Sequence, residues 1–151
     1  MTFRGNVFEA KVFDVIDGDT VDVDIDLGFD IWIKDRRIRL NNLDTPECRT
    51  RDLREKKYGL IAKARMEELL PVDTVVALKS YGIDKYGRVL GDIWLGEVGE
   101  EPSVVETMVA ENLGVPYSGQ NKKEIAAQHL ANYALVDARL AKQAKKSTPA
   151  G

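Results

Sequence analysis

Val21-Asp22-Val23-Asp24-Ile25-Asp26-Leu27 alternates apolar and acidic residues at period two. Successive side chains of a strand point to opposite faces, so the run predicts a strand with one face in a core and an acidic face in water. Before it, Ile16-Asp17-Gly18-Asp19 is turn chemistry, because Gly and Asp tolerate the dihedral angles of a tight turn. Asn6 to Val15, rich in Val and Phe, reads as the preceding strand. After it, Gly28 to Asp35 reads as a connection carrying Phe29 and Trp32, the tip of an extended hairpin. A third strand over Ile38, Leu40 and Leu43 ends at Asp44-Thr45-Pro46, since proline lacks the N–H a ladder requires.

Farther along, Leu53 to Leu70 places Leu53, Leu60, Ile61, Ala64 and Leu69 at near-helical spacing, and Pro71 closes the helix. Gly59 within it costs up to ~1 kcal/mol relative to Ala. Thr74 to Tyr81 and Val89 to Leu95 read as two more strands around an Asp84-Lys85-Tyr86-Gly87 turn. Ser103 and Glu106 form a capping box ahead of a short helix that Gly114 stops. Asn121 and Glu124 open a long helix lined on one face by Ile125, His129, Tyr133, Val136 and Leu140. The reading is an α+β domain over 1–146, with a disordered tail at 147–151. Five strands with a helix between the third and fourth are the order of an OB-fold β-barrel, here with three α-helices.

At 151 residues, 44% apolar and 31% charged, the chain is the size and composition of one soluble domain, and no run of about 18 apolar residues could span a bilayer. The N-terminal residues lack the apolar core of a signal peptide, so a cytoplasmic location is expected. The net charge of −3 is unpromising for a phosphate-rich partner, but it hides a block: Lys34 to Arg65 holds eleven Lys+Arg against five Asp+Glu. A local phosphate-facing surface is therefore expected, and Arg36 and Arg37 before the third strand and Arg49, Arg51, Arg54, Lys56 and Lys57 after the site are candidates for it. Acidic Asp22, Asp24 and Asp26 have the wrong spacing for an EF-hand, with Ile33 at the twelfth position. Cys48 is the single cysteine and has no histidine near it in sequence to make it a nucleophile.

Carboxylates and arginines collect at strand ends: Asp19, Arg39, Asp44, Glu47 and Arg88. Aspartates are hard oxygen ligands for Ca²⁺ or Mg²⁺, guanidiniums are planar forks for phosphate, and a further carboxylate can take a proton from water. Metal, base and two clamps describe a phosphodiesterase. Histidine mechanisms lack a base, because His129 is the only histidine and its helical spacing groups it with the core.

V-I-D-G-D-T-V (Val15 to Val21), R-L-N-N-L-D-T-P-E (Arg39 to Glu47) and D-K-Y-G-R (Asp84 to Arg88) together resemble the signature segments of the staphylococcal nuclease, or thermonuclease, family, nearest its plasmid- and phage-borne branch. The resemblance implies that Asp19 and Asp44 bind Ca²⁺ by their side chains and Thr45 by its backbone carbonyl. It implies that Glu47 orients or deprotonates the attacking water, and that Arg39 and Arg88 grip the phosphate. Lys85, Tyr86 and Tyr117 become candidates for contact with substrate. The implied activity is Ca²⁺-dependent, sequence-nonspecific cleavage of DNA or RNA, preferably single-stranded, to 3′-phosphates, by a monomer. A catalytically silent OB-fold that binds nucleic acid or peptide is the other reading. In the family's secreted prototype two tyrosines flank the nucleotide, whereas this chain offers only Tyr117, in V-P-Y-S.

Overall fold

The computed structural model describes residues 6–147. Val- and Ile-rich alternation yields β1 (Val7–Asp17), β2 (Thr20–Asp26) and β3 (Trp32–Leu40), followed by a two-residue β4 (Leu43–Asp44) and the helix α1 (Leu53–Leu69). Then come β5 (Val75–Ile83), β6 (Val89–Trp94), α2 (Val104–Ala110), a two-residue β7 (Val115–Pro116) and α3 (Lys122–Ser147). The five longer strands close a barrel in the order β1-β2-β3-β6-β5. All pairings in it are antiparallel except β3 with β6, where Ile38 pairs with Val89 and Leu40 with Gly91. Closure leaves no free sheet edge, and a five-stranded barrel with a helix between the third and fourth of its strands is the α+β OB-fold expected.

The inward face of β2, Val21, Val23 and Ile25, meets Ala10, Val12 and Val15 of β1 and Ile38 and Leu40 of β3 in the core. Each valine, isoleucine or leucine among them contributes on the order of 1.5–3 kcal/mol by leaving water. Three features differ from the reading of the sequence. The hairpin ladder runs out to Asp26 and Trp32, so the connection is 27–31 rather than Gly28 to Asp35. Leu43 does not prolong β3, because Asn42, at φ 61°, turns the chain and β4 pairs instead with β7. The outward face of β2 is not uniformly wet: Asp22 is buried, its carboxylate covered by Arg37.

α1 seats a different face from the one its leucines suggest. Leu53, Leu60 and Ala64 are exposed, while Tyr58, Gly59, Ala62 and Met66 are buried. Size explains the choice. A Cβ on Gly18 would stand 2.8 Å from the Ala62 Cβ and 3.0 Å from the Thr45 methyl, so the turn before β2 reaches the helix only through small residues. Asp52 caps α1 by accepting from the Arg54 and Glu55 amides, and Ser103 and Asn121 cap α2 and α3 as expected. α3 docks on α1 through Tyr133, stacked on Tyr58 at 3.8 Å, and through the Tyr58 hydroxyl donating to Asp137 at 2.7 Å. Ser147 is the last residue of α3, and 148–151, the rest of the expected tail, lie outside the described residues. No helix among the described residues is long and apolar enough to cross a membrane.

Candidate active site

The turn between β1 and β2, the ends of β3 and β4 and the turn before β6 meet at one rim of the barrel. Arg39 organises it. The Arg39 Nη1 donates to the carbonyl oxygens of Leu40 (2.9 Å) and Leu43 (2.7 Å), which pins the guanidinium to the turn joining β3 and β4. Its Nη2 then lies 3.4 Å from Asp19 Oδ2 and 3.8 Å from Asp44 Oδ1. Two carboxylates 25 positions apart are thus brought to one cation.

Asp19 is buried and held from three sides: the Thr20 hydroxyl donates to Oδ1 at 2.9 Å, the Thr45 amide donates to Oδ2 at 3.1 Å, and Arg39 faces Oδ2. Thr45 is itself buried, and its Oγ1 has no hydrogen-bond partner among the described residues. Asp44 accepts from His129 Nε2 at 2.7 Å on Oδ2. Helical spacing groups His129 with Ile125 and Tyr133 on α3, and the structure turns that face, His129 included, onto the cleft, with Nδ1 buried and without a hydrogen-bond partner among the described residues. A histidine at i, i+4 from Tyr133 carries no sequence signal for this, since its partner lies 85 residues away.

A cleft of about 910 Å³ opens over this rim, lined among others by Arg39, Asp44, Thr45, Glu47, Arg54, Arg88, Tyr117 and His129. Asp19 lies behind it and does not line it. Arg88 is tethered by one edge, its Nε donating to Asp84 Oδ2 at 2.7 Å, while Asp84 Oδ1 accepts from the amides of Tyr86 and Arg88 and fixes the turn. The two terminal nitrogens of Arg88 have no protein partner among the described residues. Tyr117 is half-exposed in the cleft; Tyr86 is well exposed outside it, with the Lys85 Nζ 5.2 Å and the Arg88 guanidinium 5.4 Å from its ring centre. Of the basic cluster, Arg54 lies in the cleft against Tyr133, and Lys57 pairs with Asp137.

Glu47 is exposed as a residue, yet its carboxyl is pushed above the usual range, first by partial burial and then by Glu55, Asp17, Asp19 and Asp44. A raised folded value means that the fold holds this proton more tightly than the unfolded chain does. The contribution to stability is therefore full below the unfolded value of 4.5 and is lost as pH rises through the folded value. Glu47→Gln is expected to unfold at a higher urea concentration than the parent at pH 7, with the advantage gone below pH 4.5. Equal midpoints at pH 7 would contradict the electrostatic crowding. Cys48 is no rival nucleophile, because burial and a hydrogen bond to Asp17 Oδ1 (2.6 Å) push its thiol up and keep it protonated.

Among the described residues no three His, Cys, Asp or Glu side chains converge as a ready-made metal cluster. What the rim offers is two carboxylates and the buried, unpartnered Thr45 hydroxyl, all oxygen. That donor set suits a hard cation that keeps much of its shell as water.

The family described as "Staphylococcal nuclease homologue" matches residues 37–148, a range that includes Arg39, Asp44, Glu47 and Arg88 and leaves Asp19 outside. A thermonuclease of Staphylococcus intermedius is 36% identical over 95 residues, which are 62% of this chain and 52% of that protein. The chain spans about half the length of this curated relative.

Proposed function

From its membership of the staphylococcal nuclease family, to which the chain belongs, we infer that it is a calcium-dependent nuclease that cuts DNA or RNA with little sequence preference. One observation carries the reading. Arg39 holds two carboxylates at a rim whose cleft also receives Glu47 and the free end of Arg88. The parts of a phosphodiester hydrolase are thereby collected, and the rim contains no rival nucleophile among the described residues.

Asp19 and Asp44, with Thr45, would hold Ca²⁺, which when bound supplies positive charge against the phosphate oxygens. Arg88 presents its two terminal nitrogens to a phosphate, and Arg39 lines the same cleft. Two guanidiniums offset the charge that grows on the phosphorus oxygens during attack. Glu47, whose raised affinity for a proton suits a base, takes one from the attacking water. The water oxygen bonds to phosphorus as the bond to the 5′ oxygen breaks, and that oxygen takes a proton from solvent and leaves as a 5′-hydroxyl, with the phosphate kept on the 3′ side. Asp44 cannot swing freely toward solvent, because His129 anchors its second oxygen. A half-exposed Tyr117 on the cleft wall suits an unpaired base, which favours single strands.

The test is release of acid-soluble nucleotides from denatured DNA with Ca²⁺ and with EDTA. Cleavage is expected with Ca²⁺ and none with EDTA. Firm binding of DNA with no Ca²⁺-stimulated cleavage would replace the enzyme by a binding module.

A further inference from the structure

Arg88 borders a second concavity of about 600 Å³, whose other walls are Asp22, Asp35, Arg36, Arg37, Tyr86 and Gly87. Arg37 stands two residues before Arg39 on β3, so the two share a face of the strand and follow each other at roughly 7 Å. One edge of Arg37 is fixed: Nε and Nη2 donate to Asp22 Oδ1 (2.9 Å) and Oδ2 (3.1 Å). Asp22 is buried beneath this fork while the Arg37 side chain is 49% exposed, and Nη1 is left without a protein partner among the described residues. A guanidinium oriented by a buried carboxylate has lost much of its rotamer freedom already, so less is lost when it meets a ligand. Arg36 has no hydrogen-bond or ion-pair partner among the described residues. Of the two carboxylates in the walls, Asp22 is neutralised by Arg37, and Asp35 acts on Arg37 through space without bonding to it.

We propose that this second cleft is a phosphate subsite for the same polynucleotide strand whose scissile phosphate occupies the first, with Arg36 and Arg37 taking a neighbouring backbone phosphate. The assignment rests on the nuclease reading of the first cleft. A strand is favoured over a free phosphate because Arg88 borders both clefts and Arg37 continues the line begun by Arg39 along β3. A polyanion laid along this edge meets guanidiniums in succession.

Fluorescence anisotropy of a long oligothymidylate and of a thymidine dinucleotide, in EDTA so that neither is cut, tests the subsite in the parent and in Arg36→Ala. The double variant Asp22→Asn/Arg37→Gln serves as a second probe that leaves no buried charge unpaired. Each variant is expected to weaken binding of the long strand by roughly 3–10-fold, to lower the salt slope by about 0.7 per arginine removed, and to leave the dinucleotide unchanged. Equal losses on both ligands, an unchanged slope, or equal competition by inorganic phosphate and by strand would overturn it. Cleavage of the same ligands in Ca²⁺ separates the two claims. A parent that binds in this length-dependent way and cuts nothing loses the nuclease reading and keeps the subsite; a parent that cuts while Arg36→Ala matches it at both lengths does the reverse.

Discussion

Arg39→Ala is expected to lower kcat/KM on denatured DNA by on the order of 10³-fold and to destabilise the fold by about 3 kcal/mol. Both effects come from one position. Catalytically, on the nuclease reading, the variant loses one of the two guanidiniums assigned to the phosphate in the cleft. Structurally, it leaves two carboxylates, one buried, without the cation they share, and frees the carbonyls of Leu40 and Leu43. Removing one partner of a buried pair costs more than the pair contributes, because the remaining charge is left desolvated. Arg39→Lys separates the roles. It keeps the charge near Asp19 and Asp44 and recovers part of the stability, but it lacks the fork that bonds two carbonyls and a phosphate together, so activity stays low. Urea midpoints and initial rates for both variants decide the matter; an Arg39→Ala protein within tenfold of the parent rate would remove Arg39 from the chemistry.

The second large effect is expected from a methyl group. In an isolated helix Gly59→Ala gains ~1 kcal/mol. Here the added Cβ would press into the Glu47 carbonyl group and stand 2.7 Å from the Cys48 amide nitrogen, all backbone. Neither the helix nor the 46–48 segment can give way cheaply, because Tyr58, Ala62 and Met66 are buried in the core on either side of Gly59. We expect a net loss of about 2–3 kcal/mol in urea unfolding. The relaxation would displace Glu47, and a shift of about 1 Å in a catalytic group lowers turnover by ~10²-fold. A Gly59→Ala protein as stable and as active as the parent would show that the approach of α1 to Glu47 is loose.

These two positions mark where the sequence is informative and where it is not. The barrel is legible because period-two alternation in β2, and turn chemistry at 16–19 and 84–87, are local signals that survive folding. The rim residues Asp19, Arg39, Asp44 and Arg88 are legible as a set for the same reason: each sits beside a turn or a strand end. The seated face of α1 is not, because hydrophobicity points to Leu53 and Leu60 while close approach selects Gly59 and Ala62. Burial of Asp22 depends on Arg37 15 positions away, and His129 reaches Asp44 only once α3 has docked; periodicity within a segment is blind to both. The two-residue β4 and β7 are below the length at which any pattern can be seen.

The pairing of Asp44 with the far end of the chain bears on the order in which the molecule is made. Asp44 takes its strand partner from Val115 and its side-chain partner from His129. During synthesis β1, β2 and β3 leave the ribosome first and can form their hairpins, since their contacts are local. The His129 contact that fixes the second oxygen of Asp44 is made only after 85 further residues have been added. A nascent chain thus carries its barrel strands early and completes this rim late.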